Sequence, residues 1–288
     1  MCRFVIYKGE AITMNKLVIA PANSLIVQSK ESKKRLLPVN GDGFGVGWYP
    51  LHDDPEPARI VSIEPAWSNQ NLIQLTSKVS SEHFFAHVRD ASKGMPVSQS
   101  NCHPFTSGRY MFMHNGRLDQ FTKFKRNILN GLSDKAFNLI KGNTDSEYAF
   151  ALFMDVINFA ENLSPEQLKQ GLYETIKRIV AYRVEVGANT NAFINFAVSD
   201  GSTIVATRFA TDQHKQPASL FYCKGCFEYD HNKDDILVEH GIGNNVIICS
   251  EPLSETSHGW QKVERNHAVI VHENNNVSVE KIPIPYQS

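Results

Sequence analysis

A cysteine directly after the initiator methionine brings two reactive groups together in one residue. A small second residue permits removal of Met1, which would leave Cys2 with a thiol and a free α-amine. That amine titrates at about 7.7–8.0, so part of it is neutral near neutral pH and can accept the thiol proton. The thiol, with an unperturbed pKa of about 8.5, is the best common side-chain nucleophile. Taken alone, Cys2 reads first as an accident of sequence. It gains meaning only if the chain also supplies donors for an oxyanion and a grip on a substrate.

Three stretches offer these groups. Met113-His114-Asn115-Gly116 closes an apolar strand with a side-chain amide beside a glycine N–H. Two neutral donors of this kind suit an oxyanion forming at a carbonyl, although the dipeptide alone reads as an ordinary Asn-Gly turn. His87-Val88-Arg89-Asp90-Ala91-Ser92 leaves another strand, where Arg89 is either a surface residue or a bidentate clamp for a carboxylate. Thr144-Asp145-Ser146-Glu147 opens an apolar helix, and Asp145 either caps it or binds a substrate ammonium.

Two other patterns call for different chemistry and fall short of it. Gly41-Asp42-Gly43-Phe44-Gly45-Val46-Gly47-Trp48 resembles a phosphate loop, but Val46 stands where the dinucleotide pattern needs glycine and no Lys-Ser/Thr follows. Glycine at every second position instead implies a strand with one bare face, open to close approach by another backbone or a ligand, while Phe44, Val46 and Trp48 pack on the other. Cys223-Lys224-Gly225-Cys226, with His231 and His240 nearby, has one C-x-x-C and no second pair, so a strand and turn are expected in place of a zinc site. Cys249 reads as a core residue and Cys102 as a neighbour of the cleft without a catalytic part.

The elements that must position these groups follow from periodicity. Strand-like runs lie at Arg3–Tyr7, Phe44–Tyr49, Arg59–Ile63, His83–Val88, Arg109–Met113, Ala192–Val198, Thr203–Arg208, Asn245–Cys249, His267–Val271 and Val277–Ile282. Helical patterns cover Asn23–Arg35, Asn69–Val79 with Ser68 as its cap, and Ser146–Ala160. A further helix opens at Ser164-Pro165-Glu166-Gln167 and runs to about Val184. Many strands without regular βαβ alternation predict one α+β domain of two sheets covered by helices.

Composition narrows the classes. The 288 residues carry a formal net charge of -1, with 42% hydrophobic and 20% charged residues. Such a balance argues against nucleic-acid binding through phosphate neutralisation. No apolar run approaches the roughly 18 residues of a membrane span. Five cysteines, odd in number and unevenly spaced, do not form a disulfide framework. The absence of a readable export signal predicts a cytoplasmic chain.

Cys2, G-D-G-F-G-V-G-W (41–48), H-V-R-D-A-S (87–92), N-C-H-P-F (101–105), H-N-G (114–116) and N-T-D-S-E (143–147) occur in one order. Together they resemble the class II, N-terminal nucleophile, glutamine amidotransferase domain over nearly the whole chain. Ser250-Glu251-Pro252-Leu253 followed by Trp260 resembles its stand-alone YafJ-type branch, which is similar to EgtC and to the amidotransferase-like component of yeast glutathione degradation. The resemblance implies a four-layer αββα sandwich occupying residues 1–288 as a single domain. It also implies Cys2 as nucleophile with its own α-amine as base, and Asn115 and Gly116 as the oxyanion pair.

By the same resemblance, Arg89 would hold the α-carboxylate and Asp145 the α-ammonium of a γ-glutamyl substrate. Ser92 would replace the threonine of many members, and Asp90 stands where the glucosamine-synthase members have tryptophan. His103 and His114 would have supporting parts. No cofactor or metal is implied. The reaction expected is cleavage of a γ-glutamyl amide through a thioester, with ammonia passing to a separate synthase as one candidate partner. A specialised γ-glutamyl peptide hydrolase and a glutamine-sensing module are the alternatives.

Overall fold

The computed structural model describes residues 2–33, 39–51, 54–91, 96–230, 235–240, 243–254 and 259–285, with the backbone alone at 226–230 and 235–240. In chain order the described strands begin with β1 (Arg3–Thr13), β2 (Phe44–Trp48), β3 (Ala58–Ser62), β4 (Ser80–Val88), β5 (Phe105–Ser107), β6 (Tyr110–Leu118) and β7 (Ala192–Ser199). They continue with β8 (Ile204–Ala210), β9 (Phe221–Asp230), β10 (Asp235–His240), β11 (Asn245–Cys249), β12 (Gln261–Lys262), β13 (His267–Val271) and β14 (Val277–Lys281). The helices are α1 (Asn15–Val18), α2 (Leu25–Lys30), α3 (Gln70–Lys78), α4 (Phe121–Gly131), α5 (Asp134–Phe137), α6 (Asp145–Val156) and α7 (Pro165–Glu185).

Alternation along the strands sorts the side chains into layers. In β1, Val5 and Tyr7 pack with Leu17, Val18, Leu25 and Leu72 of α1 to α3, whereas Phe4 and Ile6 meet Met111, Met113 and Ala206 of the other sheet. The first sheet has the order β10-β9-β11-β1-β4-β2-β3, with β12 beside β9; the second runs β14-β13-β8-β7-β6-β5. All the paired strands are antiparallel. The outer face of the second sheet packs on α4, α6 and α7 through Phe112, Phe150, Phe153 and Phe196. The architecture is α+β, with helices outside two stacked sheets. Among the described residues no helix is long and apolar enough to cross a membrane.

All ten strand-like runs lie in or overlap strands, and the capping box at Ser164 and Gln167 forms as its sequence implies. Other boundaries move for local reasons. The helix expected over Asn23–Arg35 covers Leu25–Lys30 among the described residues, capped by Ser24, and its positions 34 and 35 lie outside them. Asn69, not Ser68, caps α3, its side chain accepting from Leu72 N. The apolar helix starts at Asp145 with Thr144 as its cap and stops at Val156, where Asn158 and Phe159 turn to positive φ.

Asn115-Gly116 is not a turn: β6 runs on to Leu118, paired with β7 through Leu118↔Ala192. A Cβ on Gly116 would lie 1.9 Å from Phe193 O, so the approach of β7 demands glycine there. The helix α4 was not among the expected elements, although Phe121, Phe124 and Ile128 recur on one helical face.

Candidate active site

The candidate nucleophile is fixed from both ends of the sequence. Cys2 immediately precedes β1, the central strand paired with β4 on one side and β11 on the other. Arg3 is buried, and its Nε donates to Glu251 Oε1 at 2.7 Å while Nη1 donates to the Cys2 carbonyl at 2.9 Å. Just past β11, Ser250 brackets Phe4: Phe4 N donates to Ser250 Oγ and Ser250 N donates to Phe4 O, each at 3.0 Å. The Arg3–Glu251 pair is desolvated, and breaking one such partner costs about 3–5 kcal/mol. Cys2 is thereby held against the end of β4, where its Sγ lies 3.8 Å from the Asp90 carbonyl it donates to. Burial pushes the thiol pKa up, with the N-terminal charge and the Asp90 hydrogen bond working against that rise.

Arg89 emerges from the same end of β4. It is 3% exposed, and its guanidinium meets the Asp42 and Pro96 carbonyls at 3.4 and 3.3 Å. Among the described residues it has no carboxylate partner. A buried guanidinium whose fork is spent only on carbonyls retains capacity for an anion. The glycine strand supports this wall. At Gly45 a Cβ would lie 2.0 Å from His103 O, and at Gly47 2.8 Å from Pro104 Cγ, so the bare face of β2 admits the His103 carbonyl and the Pro104 ring. Gly43, at φ +114°, would place a Cβ 2.6 Å from Ser62 O.

The facing wall comes from β6 and α6. Asp145 Oδ2 accepts from Leu118 N at 2.7 Å, and Ser146 Oγ lies 3.3 Å from Asp145 Oδ1. His114 Nδ1 sits 2.9 Å from Ser146 Oγ and Nε2 3.0 Å from Phe193 O. The carbonyl requires the proton on Nε2, so Nδ1 accepts from the serine. Burial lowers the His114 pKa, with Asp145 opposing it.

Asp119 N donates to Asn191 O on the β7 side, whereas Leu118 N points the other way, to Asp145. Alternate amides along a strand share a direction, so the Gly116 N–H faces the same open edge as Leu118 N. Asn115 is fully buried, and its Nδ2 donates to Ser250 Oγ at 3.1 Å.

These walls enclose a cleft of about 220 Å³ lined by Cys2, Arg89, His103, Gly116, Asp145 and Phe121, among others. It therefore brings together Cys2, Arg89, His103, His114, Gly116 and Asp145. Asn115 is fully buried and not among the lining residues, and Ser92 falls outside the described residues. The arrangement offers a nucleophilic thiol, a buried cation, a carboxylate and an edge N–H around one small space.

Sequence reading gave no role to Ser250 and Glu251 as anchors of Cys2; a Ser-Glu pair closing a strand was the only signal. It also passed over Ser146 and the His87 ring that stacks on His103 at 4.3 Å. Cys223 is a core residue of the first sheet, while the side chains of Cys226 and His240 and all of His231 lie outside the described residues. No described group of three or more His, Cys, Asp or Glu side chains is placed to hold a metal.

The chain matches the family model described as class II glutamine amidotransferases over residues 27–288. It is 37% identical over 292 residues to a probable glutamine amidotransferase, DUG3, of Saccharomyces cerevisiae, covering 94% of this chain and 82% of that one. It is 26% identical over 274 residues to the gamma-glutamyl-hercynylcysteine sulfoxide hydrolase of Mycobacterium tuberculosis, covering 94% and 93%.

Among solved structures, a glutamine aminotransferase class-II domain protein from Silicibacter pomeroyi superposes with a TM-score of 0.66 at 22% identity, over 98% of this chain and 100% of the other. The allosteric regulatory enzyme of purine biosynthesis superposes with a TM-score of 0.63 at 15% identity, over 99% of this chain and half of that one. Both structural likenesses speak to the fold.

Proposed function

The chain belongs to the class II glutamine amidotransferases, and from that premise we propose that it cleaves the γ-amide of glutamine or another γ-glutamyl compound with Cys2 as nucleophile. The observation that carries this reading is the gathering of Cys2, Arg89, Gly116 and Asp145 around one cleft. Arg89 takes the substrate α-carboxylate and Asp145 its α-ammonium, which aims the γ-carbonyl at the thiol. Once Met1 is removed, the Cys2 α-amine accepts the thiol proton.

Sulfur attacks the carbonyl, and the oxyanion is held by the Gly116 N–H and the Asn115 amide. For Asn115 this role uses the second amide hydrogen, because the first is given to Ser250 Oγ. The amine departs protonated, leaving a γ-glutamyl thioester that water hydrolyses. Ser92 is assigned to the substrate's amino-acid head, and His114 keeps Ser146 oriented beside Asp145.

Residues 1–288 form one amidohydrolase domain in this reading. A cytoplasmic setting suits its free catalytic thiol. The full-length match to gamma-glutamyl-hercynylcysteine sulfoxide hydrolases favours a second form of the same chemistry, in which a larger γ-glutamyl compound replaces glutamine and no synthase receives ammonia.

The test is Cys2→Ala, assayed by glutamate release from glutamine and from γ-glutamyl amides. Loss of at least about a thousandfold is expected, as when an activated nucleophile is removed. Unchanged hydrolysis removes Cys2 from the mechanism. Glutamine binding without hydrolysis in the wild-type chain, freed of Met1, makes the protein a sensor.

A further inference from the structure

Arg183, in the last turn of α7, has no exposed surface, and the steps above leave it without a task. Its Nη1 donates to Asp119 O and its Nη2 to Thr190 O. Nε has no hydrogen-bond partner among the described residues, and the guanidinium carbon lies 5.6 Å from the centre of the Phe124 ring. Desolvating a guanidinium is costly. What it secures here is a link between the end of β6 and the approach to β7.

That link completes an unfinished rung. The β6–β7 ladder runs from Met111↔Ser199 to Leu118↔Ala192. One residue further on, Asp119 N donates to Asn191 O at 3.2 Å. In an antiparallel pair Asp119 O would receive Asn191 N in return, and Arg183 Nη1 takes that place. Gln120 then turns away at φ 60°, with a contact of 3.3 Å from its Nε2 to Asn189 Oδ1.

The residue before this tie aims the carboxylate of the cleft. Leu118 N donates to Asp145 Oδ2 at 2.7 Å, and Asp145 lines the cleft. Only the Leu118 and Asp119 dihedrals separate that donor from the held carbonyl, so slack at one is slack at the other. Building on the reading of Asp145 as the grip on the substrate α-ammonium, we propose that Arg183 is a positioning residue for substrate binding. Through Asp119 it holds the Leu118 N–H that aims the Asp145 carboxylate, and it touches no substrate itself. Gly116 lies two residues further into the ladder, opposite Ile194, and does not depend on this tie. Arg183 therefore governs affinity for the amino-acid head more than the rate of the chemical step.

Wild type, R183M, R183K, D145A and the double variants R183M/D145A and R183K/D145A would be compared by glutamate release from glutamine and from γ-glutamyl p-nitroanilide. KM and kcat are read separately, and folding is followed by melting temperature. A packing defect reduces the folded fraction, which lowers the apparent kcat and leaves KM unmoved. R183M, which has no donors, raises KM by about tenfold with kcat within about threefold of wild type. R183K keeps the charge and one point of attachment, so its KM rises by about threefold. D145A alone raises KM by about tenfold or more. In the D145A background neither Arg183 change moves KM by more than about twofold, because the carboxylate it would aim is gone.

If R183M does not fold, the R183K cycle poses the same test. The proposal is overturned if the Arg183 variants leave KM unchanged, lose kcat alone, or raise KM as much without Asp145 as with it. Failure of the underlying reading looks different: D145A alone leaves KM unchanged, Cys2→Ala stays active, or wild type releases no glutamate from either compound.

Discussion

Replacing Glu251 with alanine tests whether the residues just past β11 hold the proposed nucleophile in place. The carboxylate is 1% exposed, accepts from Arg3 Nε at 2.7 Å and from Lys33 N at 3.1 Å, and also receives the Ser32 hydroxyl. Removing it leaves the Arg3 charge buried without its carboxylate, a loss of about 3–5 kcal/mol. At about 2 °C per kcal/mol for a chain of this size, the melting temperature falls by about 6–10 °C.

The same change frees Arg3, whose Nη1 fixes the Cys2 carbonyl, so hydrolysis falls further than the loss of folded protein explains. The double variant Arg3→Met with Glu251→Leu separates the two effects. A buried apolar pair is tolerated where a lone charge is not, so the double variant recovers much of the melting temperature. Activity remains low, because nothing holds the Cys2 carbonyl. Calorimetry and glutamate release on wild type and the two variants give the comparison. A Glu251→Ala protein that melts and turns over like wild type would refute the anchoring role. Full recovery of activity in the double variant would refute the link from Arg3 to Cys2.

Acid should destabilise the fold through two buried histidines. Burial lowers the pKa of His83 and of His87 from 6.5 to about 3. Folding therefore favours their neutral forms, and the stability they contribute is complete above pH 6.5 and lost as the pH falls toward about 3. At pH 5 each accounts for about 2 kcal/mol of that loss. Thermal melts from pH 7 to pH 4 should show the decline, and His83→Phe should flatten it; a pH-independent melt would contradict this. Gly45→Ala places a methyl within 2.0 Å of His103 O and should cost about 3 kcal/mol or more, with glutamate release and melting temperature falling together. A Gly45→Ala protein that melts within about a degree of wild type would show that the two backbones are not in contact.

The sequence made the cleft legible because each of its groups sits at the end of a strand or the start of a helix. Arg89 follows β4, Asp145 opens α6, and Gly116 lies near the end of β6, so sheet stacking alone carries them to one edge. The glycine strand was readable for a similar reason, since period-2 glycines mark one face wherever the strand lies. What escaped were relations between distant segments. The Arg3–Glu251 contact joins residues 248 positions apart, and no local pattern announces such a pairing.

The direction of the Asn115 amide depends on Ser250 and was likewise hidden. Asn-Gly has a strong local preference for turns, which here yields to pairing with β7. The stacking of His87 on His103 needs the 101–104 loop to fold back on β2, a tertiary event that two separate histidines do not reveal.

The bracket of Ser250 and Glu251 around the first residues also bears on the protein's birth. In synthesis Cys2 is joined 248 residues ahead of Ser250. At about 5–20 residues per second, roughly 12–50 s pass before residue 250 is joined. Throughout that interval the amino terminus lacks its clamp, which leaves time for the Met1 removal that the proposed mechanism requires. Only when β11 and the two residues after it emerge can β1 be gripped on both sides. A chain cut short before residue 250 would carry a processed cysteine with nothing to aim it. In the proposed mechanism, then, an aimed thiol requires Ser250 and Glu251 to have been made, after the processing that bares the Cys2 amine.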